Sequence, residues 1–353
     1  MEKDRSIAIV ILNWNGKELF ETFLPSVVRN ASSPGISVFV ADNGSTDHSV
    51  DWLKKEFPEV RIIQLKENLG FAEGYNQALK QVEAEYFVLL NSDVEVTPGW
   101  LDPCIHLMEE DKNVAAVQPK ILSYNKPHLF EYAGAAGGFI DSLGYPFCRG
   151  RILNCTEADL GQYNRVIPVF WASGACMLIR ADLFRKAGGF DGDFWAHMEE
   201  IDLCWRLKNQ GYAIACQPES VVFHLGGGTL SYESPKKVYL NFRNNLYMLF
   251  KNLPANQFYS ILLIRLVLDG VAALKFLAGF SFSSFLAVWR AHLSFYGSLG
   301  KLINKRKQLR KQNGGYKHAE VYPGSIMWQF FIRKNRSYSN LNFRMTNETE
   351  INI

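Results

Sequence analysis

The chain has 353 residues, of which 48% are hydrophobic and 21% charged, and its formal net charge at pH 7 is +3. This length suits one catalytic domain of roughly 230–250 residues with an appendage, and the composition allows a sizeable buried core. So small a charge gives no reason to expect nucleic acid as a partner. The six cysteines show no C-x-x-C pair or other zinc-type spacing, so we expect reduced thiols in a cytosolic compartment. No charged-then-apolar leader opens the sequence, so no signal peptide is expected.

Short apolar runs alternate with helix-like patterns through the first 120 residues. Five runs predict buried parallel strands, at Ile7–Leu12, Val38–Ala41, Arg61–Leu65, Tyr86–Leu90 and Val114–Val117. Crossover helices are predicted at Lys17–Arg29, Ser49–Glu56, Phe71–Val82 and Pro98–Met108. This rhythm indicates an α/β fold with a mostly parallel, doubly wound sheet. Such sheets bind ligands beyond the carboxyl ends of their strands.

The next part of the chain is less regular. Residues 122–166 are rich in Gly, Tyr and Pro and predict a long excursion over the site. Regular structure is expected to resume at Phe170–Ile179, followed by a helix near Glu199–Gln210 and a strand at Val221–His224. We therefore expect a catalytic domain over residues 1–235 and a helical C-terminal region over residues 236–353.

Two C-terminal stretches have the composition of membrane-surface helices. Phe258–Phe280 is long enough to span a bilayer, but Arg265, Asp269 and Lys275 fall on one side of such a helix. Three ionisable groups at bilayer depth would be costly, so an amphipathic helix in the membrane interface fits better. Phe282–Leu299 has a similar pattern. The alternative is a helical pair packed on the catalytic domain.

A basic run follows these helices: Lys301, Lys305, Arg306, Lys307, Arg310, Lys311 and Lys317. No acidic residue interrupts it. Such a run would strengthen attachment to anionic lipid by about 1 kcal/mol per Lys or Arg near the surface. The alternative is a solvated basic tail.

Polar clusters follow the predicted strands. Asn13 and Trp14 follow the first strand, where a ring can stack on a nucleobase and an amide can bond its edge, although Trp beside a turn is more often packing. Asp42 ends the second strand, where a carboxylate can accept a hydrogen bond from a pyrimidine N3–H. The following Gly-Ser-Thr-Asp stretch suits a helix cap, which does not account for Asp42.

A third cluster, Asn68-Leu-Gly70-Phe-Ala-Glu-Gly-Tyr-Asn76, follows the third strand. Its glycines let a ligand approach the backbone closely. The spacing differs from G-x-G-x-x-G, so a dinucleotide site is not indicated.

The remaining clusters carry titratable side chains. Asn91-Ser-Asp93 ends the fourth strand, where an acid can hold a divalent cation that bridges two phosphates; Asp93 alone also suits a helix N-cap. Glu199 and Glu200 begin a predicted helix among aromatic residues, which can raise a carboxyl pKa toward that of a general base. Solvated helix-start carboxylates are the plainer alternative. His224 ends a later strand and can complete a metal shell.

These clusters, in this order over residues 6 to about 250, resemble the family 2 glycosyltransferases, particularly the bacterial rhamnosyltransferase-like branch. The most specific pieces are Asp42-Asn-Gly-Ser-Thr-Asp47, Asn91-Ser-Asp93 and the block from Gly189-Phe-Asp191 to Arg206. The resemblance implies the GT-A fold, with a nucleotide-sugar half at residues 1–120 and an acceptor half at residues 121–235.

The resemblance also implies residue roles. Asp93 would bind Mg²⁺ or Mn²⁺, with His224 as a further ligand, and Glu200 would act as general base. Trp14 would stack on the donor base and Asp42 would hold it by N3, while Asn68, Gly70 and Asn76 would line the ribose–diphosphate pocket. Asn13 and Asn91 would also bind the nucleotide sugar.

Two positions depart from the family pattern. Asn91 replaces the first acid of the usual D-x-D motif, so the metal site lacks one charge. Glu200 stands where Asp is usual and is one methylene longer, so Glu199 and His197 remain rivals for the base.

The resemblance implies an inverting glycosyltransferase at the inner face of the cell membrane. It would move rhamnose or another hexose from a UDP- or dTDP-sugar to a glycan or lipid-linked acceptor in cell-surface polysaccharide synthesis. The chain lacks the Q-x-x-R-W motif of processive synthases, so we expect addition of one or a few residues. Two alternatives stay open: a catalytically inactive GT-A scaffold, favoured by Asn91, and a nucleotidyltransferase, disfavoured because no basic, glycine-rich phosphate loop lies near the N-terminus.

Overall fold

The computed structural model describes residues 6–226, 234–312, 314 and 318–343, and its first half alternates strands with helices. In chain order the elements are β1 (Ile7–Asn13), α1 (Lys17–Arg29), β2 (Ile36–Asn43), α2 (Ser49–Glu56), β3 (Arg61–Leu65), α3 (Gly70–Leu79), β4 (Tyr86–Leu90), β5 (Val94–Val96), α4 (Asp102–Glu110) and β6 (Val114–Ser123). All five predicted strands and all four predicted helices of this half are confirmed.

The start of α4 differs from its prediction. The helix begins at Asp102 rather than Pro98, because the preceding residues form a turn. The N–H of Trp100 donates to the carbonyl of Thr97, and Gly99 has a φ of +70°. The buried Trp100 side chain fixes this turn against the core.

The second half contains more strand than expected. Its elements are β7 (Gly138–Asp141), β8 (Pro146–Cys148), β9 (Arg151–Ile152), β10 (Cys155–Thr156), β11 (Ile167–Val169), β12 (Cys176–Arg180), α5 (Ala181–Lys186), a 3₁₀ turn at Gly192–Phe194, α6 (Glu199–Lys208) and β13 (Ala213–His224). Residues 122–166, expected to form a long excursion over the site, contain the four short strands β7 to β10, and most of the other residues lie in turns and irregular structure. The stretch expected at Phe170–Ile179 is ordered as a strand only from Cys176.

The main sheet of the described residues has nine strands in the order β11-β13-β6-β12-β4-β1-β2-β3, with β5 paired to β13. Strands β4, β1, β2 and β3 run parallel, as predicted. The antiparallel strand β12 separates β4 from β6, which pairs in parallel with β13. The carboxyl ends of β1, β2 and β4 consequently meet at one edge.

Both faces of this sheet are covered, which confirms the doubly wound α/β architecture. Side chains alternate along β1: Ala8 and Val10 join the cluster that contains α3, α5 and α6, whereas Ile9 and Ile11 join the cluster that contains α1, α2 and α4.

The C-terminal region is mainly helical and packs on the α/β core. Its elements are α7 (Pro235–Asn252), α8 (Phe258–Ala278), α9 (Phe282–Gly297), α10 (Leu299–Arg310), β14 (Val321–Tyr322), α11 (Ile326–Phe331) and a 3₁₀ turn at Ser339–Leu341. Strand β14 joins β7 in a second, five-stranded sheet of order β10-β9-β8-β7-β14, so the C-terminal region reaches back across the expected boundary at residue 235.

The ionisable side of α8 faces the protein. Arg265 and Asp269 are only 2% and 1% exposed; the Arg265 guanidinium donates to the carbonyl of Leu143, and Asp269 lies 3.3 Å from the imidazole of His292. Lys275 instead remains exposed. No helix in the part of the chain described here combines the length and apolar character needed to cross a bilayer.

Three cations of the predicted basic run are engaged with the protein. The Lys305 ammonium contacts Asp191 and Asp193, and Lys301 also pairs with Asp193. Arg306 is buried and donates to the carbonyl of Phe250. This part of the run is therefore not a free basic tail, and Lys317 lies outside the described residues.

Candidate active site

The ends of β1 and β2 form one hydrogen-bonded unit. The strand register places Asn13 opposite Asp42, and the Asn13 amide donates to Asp42 Oδ1 (3.0 Å) and to the hydroxyls of Ser45 (3.1 Å) and Ser49 (2.9 Å). The second Asp42 oxygen accepts the Ser45 N–H at 3.2 Å. Both Asn13 and Asp42 are buried. The sequence prediction that these residues share a site is consistent with this geometry, in which Asn13 orients Asp42.

Trp14 lies at the rim of this unit and is 47% exposed, so one of its surfaces faces solvent. The loop below it is fixed by Asn15, whose N–H donates to Ser45 Oγ and whose side-chain oxygen accepts the Thr46 N–H. An exposed indole on a fixed loop suits stacking on a planar ligand better than it suits core packing.

Asn43 connects this edge to the loop after β3. Its amide donates to Asn68 Oδ1 (3.2 Å) and to the carbonyl of Gly70 (3.0 Å), while its oxygen accepts the Leu69 N–H (3.0 Å). Gly70 has a φ of +77°, and a Cβ there would lie 2.6 Å from the Trp195 ring. The close contact with the Trp195 ring therefore explains why position 70 is a glycine. The bond from Asn43 holds Asn68 at the edge formed by the carboxyl ends of the strands.

Asn76 is placed differently from the prediction. Both ends of its amide bond the backbone of Phe190: the NH₂ donates to the carbonyl and the oxygen accepts the N–H, each at 2.9 Å. It lines a cavity of about 710 Å³ whose walls include neither Asp42 nor Asp93. Its polar atoms hold the Gly189–Asp191 turn, so we assign Asn76 to the scaffold rather than to the ribose–diphosphate pocket.

The turn after β4 lies beside the β1–β2 unit. A Cβ at Gly16 would lie 3.8 Å from Ser92 Oγ, which places the Asn91-Ser92-Asp93 segment next to the loop that carries Trp14. Asn91 is half-buried, and its backbone N–H donates to the carbonyl of Ala175.

Asp93 and His224 are brought together by the pairing of β5 with β13. His224 lies opposite Val94, and its Nε2 is 3.1 Å from Asp93 Oδ1. On the other side, Nδ1 lies within ion-pair distance of Glu131 Oε2 (3.1 Å), without the alignment of a hydrogen bond. Burial lowers the pKa of His224, but the two carboxylates outweigh it and raise that pKa to about 10. Sequence reasoning missed Glu131, since it lies in the irregular stretch after β6.

These residues fit a small divalent cation. The Asp93 carboxylate is a hard oxygen donor, and His224 beside it is a borderline nitrogen donor that would have to release its proton to bind a cation. Mg²⁺ and Mn²⁺ commonly take few protein ligands, with phosphate oxygens and water completing the shell. Among the residues described, no group of three or more His, Cys, Asp or Glu side chains is arranged as a metal cage. The donor set therefore suits a metal shared with a bound diphosphate.

Glu199 and Glu200 begin α6 but differ in exposure. Glu199 is buried, and burial together with the charge of Glu200 holds its pKa well above the usual range. Glu200 is half-buried, and burial raises its pKa to about 7 against the opposing backbone N–H groups of the helix start. Burial and the nearby Lys237 lower the pKa of His197 to about 4, so its imidazole is neutral at pH 7. Of the three, Glu200 combines access with the pKa of a general base.

Glu200 is linked to the Asp93–His224–Glu131 cluster through electrostatics. Burial raises the pKa of the Cys148 thiol, and both Glu131 and Glu200 add to that rise against Arg151, so both acids act on the same buried sulfur. The described residues thus supply an exposed indole, a buried oriented aspartate, a carboxylate beside an imidazole and a carboxyl whose pKa is raised to about 7. Such a set can bind a nucleotide and its diphosphate and can remove a proton from a hydroxyl.

Comparison with known proteins identifies the family of this chain. The family described as "Glycosyl transferase family 2" matches residues 7–188, more than half of the chain. An N-acetylglucosaminyl-diphospho-decaprenol L-rhamnosyltransferase of Mycobacterium tuberculosis is 27% identical over 236 residues, covering 62% of this chain and 75% of that protein. The low-salt glycan biosynthesis hexosyltransferase Agl10 of Haloferax volcanii is 23% identical over 244 residues, covering 67% of this chain and 73% of the relative.

A solved structure shows the same fold. The crystal structure of GalNAc-T7 with UDP, GalNAc and Mn²⁺ superposes with a TM-score of 0.60 at 14% identity, covering 98% of this chain and 59% of that one. The α/β sheet with its C-terminal extension therefore belongs to the GT-A fold class. Within that class, the chain belongs to glycosyl transferase family 2 and is a glycosyltransferase similar to the rhamnosyltransferase-like branch.

Proposed function

We propose that this enzyme moves rhamnose or another hexose from a UDP- or dTDP-sugar to a hydroxyl of a glycan or lipid-linked acceptor, with inversion, in cell-surface polysaccharide synthesis. The observation that carries this proposal is the strand-end geometry, with Asp42 oriented by Asn13 below the exposed Trp14 and Asp93 in contact with His224; Glu200, half-buried with a pKa raised to about 7, is the proposed base. The similarity to a polyprenyl-linked sugar rhamnosyltransferase supports the acceptor class.

The donor base would lie between Trp14 and Asp42. The exposed indole stacks on the ring, and Asp42 accepts the N3–H that uracil and thymine both present. Asn13 keeps the Asp42 carboxylate oriented through its 3.0 Å bond. Because the two bases share this edge, the contact selects pyrimidines without distinguishing UDP from dTDP.

The diphosphate would lie next to Asp93 and His224. A divalent cation, Mg²⁺ or Mn²⁺, held by these two side chains would neutralise the charge of the departing diphosphate. Asn91 contributes an uncharged amide beside them, so more of the cation's positive charge remains for the phosphates than with two acids.

The transfer step needs a base on the acceptor side. Glu200 accepts the proton of the acceptor hydroxyl while that oxygen bonds to the anomeric carbon and the bond from that carbon to the diphosphate oxygen breaks. The electron pair of the broken bond leaves with the nucleoside diphosphate. A single in-line displacement of this kind inverts the anomeric configuration, and it needs no covalent intermediate on Glu199.

The acceptor and the location of the enzyme are proposed from the C-terminal helices. With Arg265 and Asp269 turned inward, these helices leave apolar side chains outside. We call this set the apolar helical face: Tyr259, Leu263, Ile264, Val267, Val271, Leu274, Leu277, Phe280, Phe282, Leu286, Trp289, Leu293, Tyr296, Trp328, Phe331 and Ile332. An exposed apolar surface this extensive marks an interaction site.

A bilayer surface is the occupant that suits the apolar helical face. Phe280, at the α8–α9 turn, is 97% exposed, and Trp289 and Trp328 supply the amphipathic rings that favour a membrane interface. Exposed cations on and beside these helices, including Lys275, Arg290 and Arg333, complement anionic lipid. We therefore propose a peripheral enzyme on the cytoplasmic, inner face of the cell membrane, where lipid-linked acceptors are available.

The base assignment is tested by Glu200→Gln, with Glu199→Gln as the matched control. Glu200→Gln should keep donor binding, measured by calorimetry, and lose transfer by about 10²-fold or more, since Gln cannot accept the proton. Glu199→Gln should change transfer little, because the Glu199 carboxyl is buried and cannot reach an acceptor hydroxyl.

Full transfer by Glu200→Gln together with loss in Glu199→Gln would move the base to Glu199. A product that retains the donor's anomeric configuration, read by NMR of the released glycoside, would contradict the single displacement. Absence of any transfer by the unaltered enzyme with pyrimidine donors would favour the inactive scaffold.

A further inference from the structure

Residues 195–198 connect the start of α3, where Gly70 lies, to α6, the helix that carries Glu200. We propose that Asn244, on α7, is a positioning residue whose side-chain amide holds this connecting segment and thereby places Glu200 against the acceptor. The inference rests on the proposed function, since it concerns the placement of the proposed base.

The connecting segment has an unfavourable backbone. Trp195, His197 and Met198 all have positive φ, at 63°, 72° and 73°. At Trp195 the ψ of −63° and the 2.7 Å bond from Ala196 N–H to the Phe194 carbonyl describe a γ-turn of the rare, strained kind. Side chains with a Cβ adopt such conformations only where the surroundings impose them, and such residues cluster at functional sites.

The Asn244 amide supplies that constraint. Its Nδ2 lies within hydrogen-bond distance of three carbonyls: that of Phe194 (2.8 Å), just before the segment, and those of Ala196 (2.8 Å) and His197 (2.7 Å) within it. The two N–H groups of the buried amide are therefore shared among these three acceptors. Arg243 fixes the amide in turn, because its Nε donates to Asn244 Oδ1 at 2.9 Å.

The other end of the segment reaches the donor side. The Trp195 carbonyl accepts the N–H groups of Phe71 (2.7 Å) and Ala72 (3.1 Å) at the start of α3, directly after Gly70. The Met198 carbonyl accepts the Asp202 N–H in the first turn of α6. One strained segment therefore joins the start of α3 to the start of α6, and the Asn244 side chain bonds the two carbonyls between these ends, those of Ala196 and His197.

This arrangement predicts a specific defect. Loss of the amide should let residues 195–198 relax and shift the start of α6, and misplacement by about 1 Å can cost roughly 10²-fold in rate. The donor base site is held separately, by Asn13 and Asp42 at the ends of β1 and β2. Transfer should therefore suffer while donor binding does not.

The test compares Asn244→Ala with Asn245→Ala in the full-length chain. Asn245 is the next residue of α7, is also buried, and donates to a single carbonyl, that of Gly144, away from the connecting segment. We expect Asn244→Ala to lower kcat by about 10²-fold, with the dissociation constant for the donor nucleotide changed less than about threefold. Asn245→Ala should keep kcat within about threefold of the unaltered enzyme.

Asn244→Ser is measured alongside, because its hydroxyl keeps one donor, and it should show an intermediate kcat. If Asn244→Ala does not fold, the kcat of Asn244→Ser tests the inference instead. Equal losses of kcat in the Asn244 and Asn245 variants, or unchanged kcat in a folded Asn244 variant, would overturn the inference. Transfer by the unaltered enzyme is established first, so a failure of the proposed function is recognised separately.

Discussion

The two adjacent carboxyl groups at the start of α6, those of Glu199 and Glu200, differ in solvent exposure. Glu199 is enclosed by the core, whereas Glu200 is half-buried, yet burial raises the pKa of both. A carboxyl that is neutral at working pH cannot accept a proton, whereas one that titrates near pH 7 can do so and can reach an acceptor. The exposure of the two side chains thus separates their roles.

The pKa of Glu200 predicts a pH profile. Since the base must be ionised, kcat/KM should fall tenfold per pH unit below about pH 7 and level off above it. Burial raises the pKa of the neighbouring Cys148 and Cys204 thiols, so neither is expected to titrate on this limb. The pKa of Glu199 is also raised, by burial and by the charge of Glu200, so the limb reports the two carboxyls together. Initial rates between about pH 5 and 9 check this. A flat profile across pH 7 would contradict the assignment.

At the residue scale, the sequence predicted the polar residues that lie at strand ends. It did not predict contacts between residues that are far apart in the chain. Asn13 and Asp42 were predictable because parallel strands bring their carboxyl ends together. Glu131 contacts His224 only through the fold of the irregular stretch after β6. Asn76 was expected to bind ligand, but its amide is satisfied by the backbone of Phe190, 114 residues away. No local pattern in the sequence reveals that bond.

At the element scale, helices with clear periodicity were predicted better than short strands. Helices α1 and α2 begin and end where predicted, because apolar spacing and the polar residues beside it define them. Strands β7 to β10 have two to four residues each, too few to show an alternating pattern. Helix α8 was expected to be amphipathic, and its polar side was found facing the protein rather than solvent.

The orientation of α8 predicts membrane binding through the apolar helical face. The enzyme should float with vesicles of phosphatidylglycerol and phosphatidylcholine, and less with phosphatidylcholine alone. The double change Val267→Glu and Leu274→Glu should lower partitioning into vesicles by about tenfold or more. Each of these exposed apolar side chains would contribute roughly 1.5–3 kcal/mol when it is buried in the membrane. Leu160→Glu is the control, because Leu160 is 86% exposed but lies outside this face. An unaltered enzyme that ignores both vesicles would contradict the membrane proposal.

At the scale of the whole molecule, the α/β alternation predicted the doubly wound sheet, and the later strand order could not be predicted. The antiparallel insertion of β12 between β4 and β6 depends on long-range pairing. So does β14, which joins β7 from more than 170 residues away. The division at residue 235 stays a prediction. The central claim is that this sheet carries a pyrimidine nucleotide-sugar site with a metal.

Thermal unfolding with a panel of nucleotides tests that claim most directly. A ligand at a hundredfold its dissociation constant adds about 2.7 kcal/mol to stability. UDP or dTDP should raise the melting temperature in the presence of Mn²⁺ and much less without it. Asp42→Asn, which loses the acceptor for N3–H, should abolish the rise while remaining folded. If no pyrimidine diphosphate stabilises the folded protein, with or without Mn²⁺, the account of a donor site at this edge is contradicted.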